Sequence, residues 1–182
     1  MTKNKQMQIA FKVSLIFMVL VLSAFQIPKT TLKKVDKEIK NTFQIANFTK
    51  TPIAIDKALK VAIQPQLNSN NFYKIHSNNQ FIGYAYTAKA PSKTDQFDYL
   101  VLFNTQLEII KTKVLVYRED YGNEIGSKRW LKQFIGKTAN DTLRYGDTID
   151  AISGATISAK SMTKAMQKMM KGVAILKKNN AL

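Results

Sequence analysis

Helix-like stretches flank a strand-like middle along this chain. Between Phe72 and Tyr117 the pattern is β, with short apolar runs broken by turn residues. Before it, Leu32, Val35, Ile39 and Phe43 recur at three and four, the spacing of one helical face. After it, Met162, Ala165, Met166, Met169, Met170, Val173 and Leu176 make the longest amphipathic stripe in the sequence. With 182 residues, 45% of them hydrophobic, the chain is long enough for one domain with a real core.

The elements follow in order. Lys3, Lys5 and Lys12 precede an apolar run from Val13 to Phe25. A basic start followed by such a run has the form of an export signal. The run is short of the roughly 20 residues of a full bilayer span. Ile9-Ala10-Phe11 and Gln26-Ile27 extend it if Lys12 snorkels. No small-x-small cleavage pair stands out, so residues 1–28 read as an N-terminal membrane anchor, with a cleaved signal segment as the alternative. Either reading places the rest of the chain on the extracytoplasmic, periplasmic side of the cell membrane. Pro28 ends the run, and residues 29–50 read as a helical connector, with its helix from about Thr31 to Ile45.

Thr51 to Ile55 is expected as a short strand. Asp56 is expected to cap a brief helix through Ile63, with Pro65 stopping it. Phe72–His76 and Phe81–Thr87 form a hairpin around Ser77–Gln80. Ala88–Gln96 reads as a loop, Phe97–Asn104 and Leu107–Tyr117 as two more strands, and Thr148–Ile152 as a last short one. His76, the sole imidazole, falls at a hairpin end and receives no catalytic role.

Composition excludes several chemistries. With no cysteine and one histidine, thiol catalysis, disulfides and iron–sulfur clusters are ruled out, as are most zinc sites. If this protein moves electrons, an organic cofactor does it. The net charge of +16 is spread along the chain as lysine, and arginine is confined to Arg118, Arg129 and Arg144. Without a dense basic run or interleaved aromatics this is a solvated basic surface, and nucleic acid is not expected as a partner.

The chain is organised around Asp150-Ala151-Ile152-Ser153-Gly154-Ala155-Thr156-Ile157-Ser158, just before the methionine-rich helix. Small residues, hydroxyls and a glycine at a helix start suit an anion, because the first amides are unpaired and the dipole is positive there. The plainer reading is an ordinary helix start with Thr156 or Ser158 as N-cap.

This stretch resembles the attachment motif of the FMN-binding domain family, Asp-x-x-Ser-Gly-Ala-Thr. That family includes FMN subunits of sodium-translocating NADH:quinone reductase and of Rnf complexes, domains of nitrous-oxide-reductase regulators, and small stand-alone proteins. Asp150, Ser153, Gly154, Ala155 and Thr156 match the motif. The resemblance implies an α+β domain, a twisted antiparallel sheet with packed helices, and FMN held covalently by a phosphoester to Thr156. It implies that Asp150 serves recognition by a flavin transferase, an exported magnesium-dependent enzyme that uses FAD as donor. Residues 51–178 are then the FMN-binding domain, and 179–182 a polar tail.

The family's Gly-Tyr on a second strand corresponds to Gly83-Tyr84. Its charged turn, Glu-Thr-Pro-Gly-Leu-Gly in the quinone-reductase and Rnf subunits, falls within the turn from Tyr117 to Gly126. Glu119 and Gly122 align, while Asp120 and Tyr121 replace Thr and Pro, which puts this chain nearer the regulator and stand-alone branch. Tyr121, Trp130 and Phe134 offer flat apolar surface for the ring, and Arg118 or backbone amides offer positive charge. Glu119 reads as a loop-ordering residue, since a carboxylate against a reduced anionic ring opposes reduction. Ser127 capping a helix whose Trp130, Leu131 and Phe134 face the core is the competing assignment.

The sequence thus points to an electron carrier working with membrane or periplasmic electron-transfer proteins. The competing functions are a flavin-dependent reductase of a small substrate and a non-redox, basic surface-binding module.

Overall fold

Five strands follow one another in sheet order as an antiparallel meander: β1 (Thr49–Pro52), β2 (Phe72–Ser77), β3 (Gln80–Pro91), β4 (Gln96–Phe103) and β5 (Ile109–Val116). Helices α1 (Lys29–Phe43), α2 (Lys57–Ile63), α3 (Lys128–Leu131) and α4 (Thr156–Lys178) complete the α+β architecture that the resemblance implies. This computed structural model describes residues 29–63 and 67–182. The anchor-or-signal reading of residues 1–28, and the stop at Pro65, lie outside the described residues. Among the described residues no helix is long and apolar enough to cross a membrane. Lys34–Leu182 form one compact unit.

The period of two along β4 sorts its side chains between two cores. Phe97, Tyr99, Val101 and Phe103 join the larger core with α4, while Leu100 and Leu102 join a second core with Val35 and Ile39 of α1. β4 is therefore covered on both faces, which is why its apolar run is continuous. On α4 the stripe lies where its spacing predicts: Met162, Met166, Met169, Met170, Val173 and Leu176 are fully buried. Burial of such side chains contributes about 1.5–3 kcal/mol each before entropy is counted. Lys160, Lys164, Lys168 and Lys171 stay on the exposed side.

Local chemistry fixes the turns. Asn78 and Asn79 take positive φ of 50° and 60°, which suits a two-residue hairpin loop. Gly83 is required by close approach: a Cβ there would stand 2.2 Å from the Phe103 carbonyl oxygen. The backbone N–H of Ala58 donates to Asp56 Oδ1 at 3.1 Å, so Asp56 caps α2 as expected.

Three expectations are corrected. Ala88–Gln96 is not a loop: β3 runs on to Pro91, paired with β4 through Ala90↔Phe97 and Pro91↔Gln96, and only Ser92–Asp95 turn the chain. Pairing overrides the weak strand preference of Ala, Lys and Pro here. The first strand ends at Pro52 instead of spanning Thr51–Ile55. Thr148–Ile152 forms no strand; it belongs to a coiled loop in which Gly146 N–H donates to the Ile149 carbonyl at 2.7 Å.

Candidate functional site

α4 opens at Thr156, with Ala155 in the N-cap position and no side-chain cap. Neither Thr156 nor Ser158 is the cap. Ser158 lies inside the first turn, is buried, and its hydroxyl pairs with the Tyr117 hydroxyl at 3.0 Å. The first helical bond is Ala159 N–H to the Ala155 carbonyl at 2.9 Å, so the amides of Thr156, Ile157 and Ser158 precede the helical ladder. Thr156 itself is exposed.

The nine-residue motif divides at Gly154, whose φ of +82° turns the chain into the helix. Its downstream half, Gly154, Ala155, Thr156, Ile157 and Ser158, lines a cleft of about 230 Å³ with Lys93, Tyr117, Glu119, Tyr121 and Gly122. Its upstream half, Asp150, Ala151, Ile152 and Ser153, lines a separate cleft of about 570 Å³ with Trp130, Gln133 and Glu124 among others. The structure therefore brings Thr156, Gly154, Ala155, Gly122 and Glu119 together, and sets Asp150, Ser153 and Trp130 on the other side of the glycine.

The two halves are braced by different partners. Asp150 is held through its backbone: its N–H donates to Gln133 Oε1 at 2.7 Å, and its carbonyl accepts from the Trp130 indole N–H at 2.8 Å. Its carboxylate is exposed and has no hydrogen-bond partner among the described residues. The downstream half is braced by the turn after β5. Gly122, buried at φ +88°, leaves room for the Tyr117 hydroxyl, which a Cβ would meet at 2.4 Å.

Glu119 orders the β3–β4 turn. Its Oε1 accepts from Thr94 N–H at 2.6 Å, Ser92 Oγ at 2.7 Å, Asp95 N–H at 3.0 Å and Thr94 Oγ1 at 3.1 Å. These donors, the Thr94 amide foremost and then the Ser92 hydroxyl, hold its carboxyl down at about 2.

Two aromatic assignments change. Trp130 is 4% exposed and meets Phe134, itself fully buried, edge-on at 5.2 Å. The Trp130 amide N–H reaches Ser127 Oγ at 3.4 Å, so Ser127 caps α3 and these rings serve the core. Tyr121, 87% exposed and lining the Thr156 cleft, is the available ring. Arg118 is not free either: it donates to the Gln96 carbonyl and pairs with the buried Asp98 carboxylate. Lys93 and Tyr117, which reading the sequence did not single out, complete the cleft. Neither stands in a periodic pattern or motif that would have marked it.

A cleft opening on a free hydroxyl at the head of a long helix, floored by glycines and edged by one lysine, has the donor set for a phosphorylated ligand. A Cβ at Gly122 would stand 2.4 Å from the Tyr117 hydroxyl, which lines that cleft. Residues 93–171 match the model of the FMN-binding domain. The crystal structure of Shewanella oneidensis NqrC matches this fold with a TM-score of 0.50 at 17% sequence identity, covering 72% of this chain and 70% of that chain. At that identity the likeness is one of fold. No curated protein matches the sequence.

Proposed function

We propose that this protein is an extracytoplasmic electron-transfer flavoprotein carrying FMN through a phosphoester to Thr156. The supporting observation is the exposed Thr156 hydroxyl at the head of α4, in a cleft inside the matched domain. Thr156, Gly154 and Ala155 would hold the phosphate end with the first-turn amides of α4. Tyr121 and Gly122 would contact the ring. FMN, when bound, supplies transfer of one or two electrons. The chain's own contribution is to fix the phosphate, limit water at one ring face and offset one negative charge at a helix start, worth about 0.3–1 kcal/mol.

Attachment fits the geometry of the motif. In attachment a bond would form between Thr156 Oγ1 and the flavin-side phosphorus of FAD as the pyrophosphate bond broke; AMP would leave, and the hydroxyl proton would pass to a base of the flavin transferase. An exposed threonine beside a positive-φ glycine is open to such an enzyme. Asp150, with its carboxylate exposed, is placed for the transferase to recognise. The N-terminal segment would anchor the chain in the cell membrane with the domain outside. There membrane or periplasmic electron-transfer proteins would exchange electrons with it.

The test is co-expression with a flavin transferase, followed by denaturing electrophoresis under ultraviolet light. A fluorescent band that disappears in Thr156→Ala supports the reading. A colourless wild-type protein under those conditions contradicts it.

A further inference from the structure

The cleft at Thr156 carries two charges of its own. Of its lining residues Lys93 is the one cation and Glu119 the one carboxylate. They do not pair with each other: Glu119 Oε1 is taken by Ser92, Thr94 and Asp95, and no ion pair among the described residues includes Lys93. Those three acceptor-bound residues flank Lys93 in the turn that carries it. The same turn is tied to α4, because the Ser161 hydroxyl donates to the Pro91 carbonyl at the end of β3. The turn presenting Lys93 is thus fastened to residue 119 and to the helix that begins at Thr156.

We infer that Lys93 is the phosphate-recognition residue of this cleft, selecting phosphorylated over unphosphorylated flavin, and that Glu119 is a positioning residue acting through the Ser92–Asp95 turn. The inference rests on the reading of the cleft as the FMN site. The charge balance argues for it. Glu119 is ionised at neutral pH, so without Lys93 the cleft's own side chains would repel a phosphate. With Lys93 the pair is neutral, and the helix dipole tips the balance toward an anion. Lysine acts on phosphate as a point charge, so its effect falls on the phosphate and not on the ring.

The experiment uses the full chain bearing Thr156→Ala, purified without transferase, with FMN and riboflavin binding each followed by flavin fluorescence. The Thr156→Ala protein should bind FMN more tightly than riboflavin. Adding Lys93→Gln should weaken FMN binding about tenfold and leave riboflavin unchanged, and Lys93→Arg should restore most of the difference. Adding Glu119→Gln removes a carboxylate that opposes phosphate, yet it should shrink the FMN preference at a temperature well below its own melting midpoint, because loss of the clamp on the Ser92–Asp95 turn and of the placement of Lys93 outweighs that charge. Equal effects of Lys93→Gln on both flavins, no effect on either, or no FMN binding by the Thr156→Ala protein would overturn the role of Lys93. An unchanged preference in Glu119→Gln would overturn the positioning role. Gel fluorescence of the wild-type protein made with transferase reports the covalent bond separately. An unlabelled Thr156 with a Lys93-dependent preference for FMN would remove the tether and leave this inference standing.

Discussion

The indole N–H of Trp130 donates to the carbonyl of Asp150 at 2.8 Å, joining the buried ring of α3 to the first residue of the attachment motif. Gln133 takes the Asp150 amide at the same time, so the motif enters its turn from a fixed point. Trp130→Phe keeps most of the apolar volume and removes the donor. It should cost about 1–3 kcal/mol in urea denaturation, the range for a buried hydrogen bond broken on one side. An unchanged midpoint would show that the bond does not hold the motif.

The Tyr117–Ser158 hydroxyl pair braces the other half. Ser158→Ala and Tyr117→Phe should each destabilise by about 0.5–1.5 kcal/mol. The double variant should lose less than the sum, because the two share one bond. Strict additivity in a double-mutant cycle would reject the pairing.

Gly154 and Gly83 are both glycines at positive φ, but they should fail differently. At Gly83 a side chain meets a backbone oxygen at 2.2 Å, so Gly83→Ala should cost at least about 2 kcal/mol. At Gly154 a Cβ meets only the movable Glu124 carboxyl at 3.1 Å. Gly154→Ala should therefore carry mainly backbone strain, about 1–3 kcal/mol. Gly154→Val should also impair flavin attachment, because a β-branched residue strains the positive-φ turn that presents Thr156. Melting midpoints and gel fluorescence separate the two effects.

Acid should loosen the Ser92–Asp95 turn. The Glu119 carboxyl sits at about 2, below its ordinary 4.5. A depressed carboxyl contributes stability that is fully present above about pH 4.5 and is lost as pH falls toward 2. Wild type should lose its advantage over Glu119→Gln across that window, and exchange at the Thr94 and Asp95 amides should quicken. Parallel acid transitions in the two proteins would contradict the clamp.

How much of this was legible in the sequence depended on whether the signal was local. The α4 stripe, the Asn78-Asn79 turn and the Asp56 cap are written in adjacent residues, and each forms where it reads. The motif around Gly154 is legible for the same reason. Glu119 and Thr94 lie 25 residues apart, and Trp130 and Asp150 lie 20 apart. Only the sheet and the packing of α3 bring these pairs together, so no spacing rule could find them. β3 continues beyond Thr87 through Ala-Lys-Ala-Pro, which has little strand preference of its own, so its end is set by pairing with β4 and not by local sequence. Thr148–Ile152 has strand-like residues but finds no strand to pair with among the described residues.

The most direct measurement of the central claim is the mass of the tryptic peptide containing Thr156, taken from protein made in cells that possess a flavin transferase. The account predicts that this peptide carries the mass of an esterified FMN, with fragment ions placing it on Thr156. A peptide recovered only in unmodified form, or one bearing the flavin on Ser153 or Ser158, would contradict it.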